Sequence, residues 1–144
     1  MAQLHKSVVT LRIAGGDLVP DEITKQLGAS PTHAQAKGDK IVNKNTGNVR
    51  IAKFGMWRLC ASDREPEDMD GQIDEILSQM TGDLATWQSI AKQYHLDLFC
   101  GLFMRVSNEG LSISAASLEA LGARGIELQL DIYGGHDEED GPST

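Results

Sequence analysis

Between residues 5 and 14 the side chains alternate, with Val9, Leu11 and Ile13 on one side and Val8, Thr10 and Arg12 on the other. That period of two predicts a strand with one apolar face. Gly15-Gly16-Asp17 turns the chain, and the period changes after it. Pro20 suits a first helical position, Asp21 and Glu22 suit the positive end of a helix dipole, and Ile23 and Leu27 share a face. Gly28 is placed to end this short helix in the left-handed conformation. Residues 30–39 are small and polar and read as a loop. Residues 40–44 and 49–61 read as two strands of a hairpin turned by Asn45-Thr46-Gly47-Asn48. In the second strand Trp57 is expected to anchor the core and Arg58 to point the other way. Lys53 and Gly55 interrupt the apolar parity, which implies a bulge near Gly55 or burial on both faces.

Residues 67–80 carry the clearest helical stripe: Met69, Ile73, Ile76, Leu77 and Met80. Gly82 stops that helix, and Asp83 caps a second with Leu84, Trp87, Ile90 and Tyr94 inward. Residues 96–106 are apolar on both faces, the mark of a central strand. Ser114 opens a further predicted helix, with Leu118 and Leu121 facing the core and Gly122 as its cap. A last strand over 125–133 places Ile126, Leu128, Leu130 and Ile132 inward, and Glu127, Gln129, Asp131 and Tyr133 outward. Arg12-Ile13, Leu18 and Leu27-Gly28-Ala29 are echoed by Arg105-Val106, Leu111 and Leu121-Gly122-Ala123. Two strand–helix–strand halves of this kind predict an α+β, ferredoxin-like sandwich. Its mainly antiparallel sheet has four to five strands, with the helices on one face. Residues 1–134 are expected to form a single domain and 135–144 a mobile acidic tail.

The chain has 144 residues, 40% of them hydrophobic and 24% charged. One such domain buries about two-thirds of its unfolded surface without disulfides or metal. No apolar run approaches the roughly 20 residues of a membrane span. The first residues lack the apolar stretch of a secretory signal. Cys60 and Cys100 fall in predicted strands and are expected as buried, reduced thiols in the cytoplasm. The net charge of −8 is uneven. Residues 37–58 set six bases against Asp39 alone, 59–75 set seven acids against Arg64, and 127–144 hold six acids and no base. Such acidity disfavours a general nucleic-acid binder, which needs a cationic surface.

No nucleophile elbow, phosphate loop, dinucleotide fingerprint or metal-ligand spacing is present. His5, His33, His95 and His136 are scattered. Neither a metal nor a cofactor is expected. The constellation that stands out joins Thr32, His33 and Lys37 in the loop with Trp57 and Arg58 in the strand. It offers hydrogen-bond donors and a planar guanidinium fork to a carboxylate or phosphate.

The helix 20–27 with Gly28, Pro31-Thr32, Lys37-Gly38-Asp39, Gly55 before Trp57, and the closing Asp131-Ile132-Tyr133 resemble the bacterial domain-of-unknown-function family numbered 4279. The resemblance spans residues 5–134. It implies a small bacterial cytoplasmic α+β protein and no particular activity. With no catalytic signature, the expected role is a non-enzymatic binding or protein-interaction domain of accessory or immunity type. Acidic segments steer it towards a partner with a basic surface. Homodimerisation through an edge strand is open to such a sheet. The competing reading is a small enzyme or ligand sensor that holds an anionic small molecule near Thr32, Lys37, Trp57 and Arg58.

Overall fold

The first alternating run becomes the middle strand of the sheet, and the other elements are laid against it. A computed structural model describes residues 2–135. In chain order the elements are β1 (Ala2–Gln3), β2 (Lys6–Gly15), α1 (Pro20–Leu27), β3 (His33–Gln35), β4 (Lys40–Val42), β5 (Val49–Ile51), β6 (Gly55–Cys60), α2 (Met69–Leu77), α3 (Leu84–Gln93), β7 (His95–Phe103), β8 (Glu109–Gly110), α4 (Ala115–Ala123) and β9 (Glu127–Tyr133). This is an α+β fold. Its main sheet has five strands in the order β3-β6-β2-β7-β9, and β1-β8 and β4-β5 form two smaller ladders. The pairs β3–β6, β6–β2 and β2–β7 are antiparallel and β7–β9 is parallel, so the sheet is mixed rather than antiparallel throughout.

Alternation decides which face is covered. Val9, Leu11 and Ile13 of β2, Trp57 and Leu59 of β6, and Leu96, Leu98, Cys100 and Leu102 of β7 are buried in one cluster. All four helices of the described residues feed it: Ile23 and Leu27, Met69, Ile73 and Ile76, Trp87 and Ile90, and Leu121. The helices therefore share one face, and the other face is left open. Gly28 ends α1 with φ 74°, as its sequence position requires. Asp68, Asp83 and Ser114 cap the other three helices through their side-chain oxygens. Gly55 is needed for a close approach, since a Cβ there would lie 2.4 Å from the Leu18 carbonyl oxygen.

Several expectations are corrected. The run 49–61 is not one strand: it breaks at 52–54, where Ala52 N–H donates to the Asp39 carbonyl, and β4–β5 leaves the sheet as its own hairpin. Val49, Ile51 and Phe54 are consequently exposed. The loop 30–39 contains β3, whose three residues are recruited by β6 rather than by any pattern of their own. α4 runs through Gly122, and the left-handed residue is Gly125. Leu118 on α4 is exposed, and so are Leu130 and Ile132 on β9, because α4 packs against that strand without covering these two; Leu84 at the start of α3 is exposed too. Cys60 lies half-buried on the open face, while Cys100 is buried and its thiol is pushed up to about 12 by that burial. The repeat does not make two equal halves. Arg12 and Ile13 lie inside β2, whereas Arg105 and Val106 follow the end of β7. The expected acidic tail, with His136, falls at 136–144, outside the described residues.

One cluster makes stability depend on pH. Glu75 on α2 accepts hydrogen bonds from Ser62 N–H (2.7 Å) and from Arg64 (2.6 Å). Those contacts, the backbone one first, hold its carboxyl below the usual 4.5. The folded chain thus binds fewer protons than the unfolded one in acid. The stabilisation is complete above the ordinary value and is lost as pH falls towards the lowered one. Melting temperature is expected to fall from about pH 5 to pH 2, and less steeply in Glu75→Gln. Equal slopes in the two proteins would show that this contact does not matter.

Candidate functional site

The open face is built by the residues that alternate with the core. Because neighbouring strands are in register, they form transverse rows. One row crosses all five strands: His33 on β3, Arg58 on β6, Arg12 on β2, Asp97 on β7 and Glu127 on β9. It runs from cationic to anionic. Like charges directly opposite one another are unfavourable, so Arg12 beside Arg58 needs compensation. Asp97 supplies it through a bidentate pair, with Arg12 Nε and Nη2 each 2.8 Å from a carboxylate oxygen. That contact raises the guanidinium's affinity for its proton above the usual range. The Arg12 fork also lies 4.4 Å from the centroid of the Phe99 ring.

Arg58 is treated differently. Its Nε donates to Met56 Sδ at 2.9 Å, and among the described residues no acid forms an ion pair with it. Here is a half-buried cation with spare donors. It opens on a groove of about 280 Å³ lined by Val8, Thr10, Phe99, Phe103 and Tyr133, with Arg12 between. Phe103 and Tyr133 stack at 4.6 Å with 4° between their planes. The Tyr133 hydroxyl donates to Asp131 (2.8 Å), which keeps the phenol protonated to higher pH than usual. Gly101 forms part of the floor, where a Cβ would already sit 3.3 Å from the Phe103 ring.

Of the residues singled out in the sequence, His33 and Arg58 are brought together as direct cross-strand partners. Thr32 precedes them in the chain, but its hydroxyl accepts the Cys60 N–H at 3.0 Å. Lys37 is exposed beyond the end of β3. Trp57 lies on the opposite face, wholly buried, with its indole N–H donated to the Thr24 hydroxyl at 3.1 Å. Thr10, Arg12, Phe99, Phe103 and Tyr133 were legible as outward positions of three separate strands. Nothing in the sequence stated that those strands lie side by side in this register.

Other places are less suited to a ligand. The hollow of about 320 Å³ between α2 and α4 includes Asp70, which is already held by Ser114 N–H and the Ser117 hydroxyl. Gly15 is spoken for by packing, since the Tyr94 ring covers it. Among the described residues no three His, Cys, Asp or Glu side chains are grouped to hold a metal ion. No helix there is long and apolar enough to cross a membrane.

No curated protein and no solved structure matches the chain. A family model described as "Domain of unknown function (DUF4279)" matches residues 3–135, and the chain belongs to that family.

Proposed function

We propose that this protein is a non-enzymatic binding domain whose ligand is a small anion with a flat apolar body, held on the open face of the sheet. The observation that carries the reading is Arg58, a guanidinium fork committed to no carboxylate among the described residues, at the rim of an aromatic groove. Arg58 takes the anionic group through paired hydrogen bonds, with His33 beside it. Phe99 and the Phe103–Tyr133 stack receive the flat portion. The lining groups favour holding over reacting: Arg12 is tied to Asp97, and Tyr133 is tied to Asp131. Glu127 and Asp131 at the far side of the sheet repel a long polyanion, so a small ligand fits better than a nucleic-acid strand.

A partner with a basic surface is less well supported. Of the acids in 59–75, Asp63 pairs with Lys6, and Asp68 and Glu75 pair with Arg64. For the fold we propose a ferredoxin-like core. The run β2-α1-β3-β6-α2/α3-β7 has the spatial order β3-β6-β2-β7, in which each parallel pair is split by one strand. β9 is then an addition outside β7. Two unpaired cysteines support a reducing, cytoplasmic setting.

Phenyl phosphate is the test ligand, followed by amide chemical shifts and calorimetry. Shifts are expected on β2, β6, β7 and β9. Arg58→Ala should weaken binding at least about tenfold while changing stability by no more than about 0.5 kcal/mol. The proposal fails if phenyl phosphate leaves the amides unmoved up to about 10 mM, or if Arg58→Ala binds as well as the native chain.

A further inference from the structure

Two surfaces complement each other: a hairpin that stands outside the main sheet, and the edge strand β9. The first is the hairpin of β4 and β5, inserted between β3 and β6. Lys40 pairs with Ile51 and Val42 with Val49, so these four share one face. Val42, Val49 and Ile51 are each more than half exposed. A lone two-stranded ladder is marginal in water, and an uncovered β-branched face adds to the cost. Residues 37–53 carry Lys37, Lys40, Lys44, Arg50 and Lys53 against Asp39 alone, in a chain of net charge −8.

The second surface is the β9 edge. Among the described residues no strand pairs with its outer side. Its seven residues include no Lys or Pro, and its unbroken register with β7 leaves no bulge, so the acids Glu127 and Asp131 are its remaining protection as an edge. On its helix side Leu130 and Ile132 are exposed, and Leu118 is exposed on α4, which packs against it. Glu119, Glu127 and Asp131 surround them in sequence. Arg124, the only base from 115 to 133, lies 5.8 Å from the Trp87 ring.

We infer that the β4–β5 hairpin of one copy docks on the β9–α4 edge of a second copy. The basic apolar ladder meets the acidic apolar edge and extends the sheet by strand addition. The two patches differ, so the contact is head-to-tail and each copy keeps one of each free until a ring closes or a chain grows. The contact uses the outer side of β9, a strand that the ligand groove touches at Tyr133.

Sedimentation velocity on the full chain tests this. Weight-average mass is expected to rise past the dimer with concentration, and to fall back in about 0.5 M salt, where charge attraction is screened. Val42→Ser with Val49→Ser removes one patch, and Leu130→Ser with Ile132→Ser removes the other. Each variant alone should remain monomeric. Mixed, they should form a complex that stops at one of each, because each supplies the patch the other lacks. Lys40→Glu, a single exposed change, should weaken association at least about tenfold, and it serves if a serine pair lowers the melting temperature. A native chain monomeric up to about 200 μM, a mixture that stays monomeric, or a closed dimer that persists in both serine pairs would each overturn the inference.

Discussion

Trp57→Ala is expected to destabilise the protein by about 3–5 kcal/mol in urea unfolding, the largest loss foreseen for any single substitution here. The indole is 0% exposed and sits between β6 and α1, where removing it leaves a cavity that backbone on both sides prevents from closing. The N–H donated to Thr24 is a separable part of the effect. Trp57→Phe should keep most of the packing and cost less than the alanine change. Thr24→Val, which strands the indole donor, should cost about 1–3 kcal/mol. A loss under about 1 kcal/mol for Trp57→Ala would mean that the ring does not hold the helices to the sheet.

Arg12→Ala should follow, at about 3 kcal/mol, because it strands a carboxylate rather than merely deleting a contact. The Asp97 side chain is 4% exposed and the Arg12 side chain 29%, so the acid depends on its partner more than the base does. The lower end of the range for broken buried pairs applies, since water reaches Arg12 and His95 Nε2 stands 3.4 Å from the same acid. The discriminating measurement is the double change Arg12→Met with Asp97→Leu. If the charge is what costs, the double variant is expected to be more stable than Arg12→Ala alone. If it is instead as unstable as the sum of the two single changes, the loss belongs to packing. The pair also bears on the groove, because Asp97 holds Arg12 over Phe99 and leaves Arg58 as the free cation.

Much of the fold could be read directly from the chain where a segment's own pattern was strong. Pro20 and Gly28 delimit α1, the Met69, Ile73 and Ile76 stripe forms α2, Asp83 caps α3, and Trp57 is core. Segments whose state is set by a neighbour were not legible. His33–Gln35 is a strand only because β6 offers it an open edge. Val49 to Ile51 carries a core-like pattern, yet it lies outside the core because the chain departs at residues 52–54 to make a separate ladder. Leu130 and Ile132 alternate like buried residues, and they are exposed because α4, which packs against β9, does not cover them.

The candidate site divides in the same way. The sequence alone determined that Arg58 opposes Trp57 and that Thr10, Arg12, Phe99 and Tyr133 face away from the apolar side of their strands, because side-chain direction in a strand follows from a period of two. Which strands are neighbours, and in what register, depended on the tertiary fold. Only that fold placed Arg12 between Arg58 and Asp97, leaving one arginine paired and the other free, because the Arg12–Asp97 contact joins residues 85 positions apart and no local pattern records it.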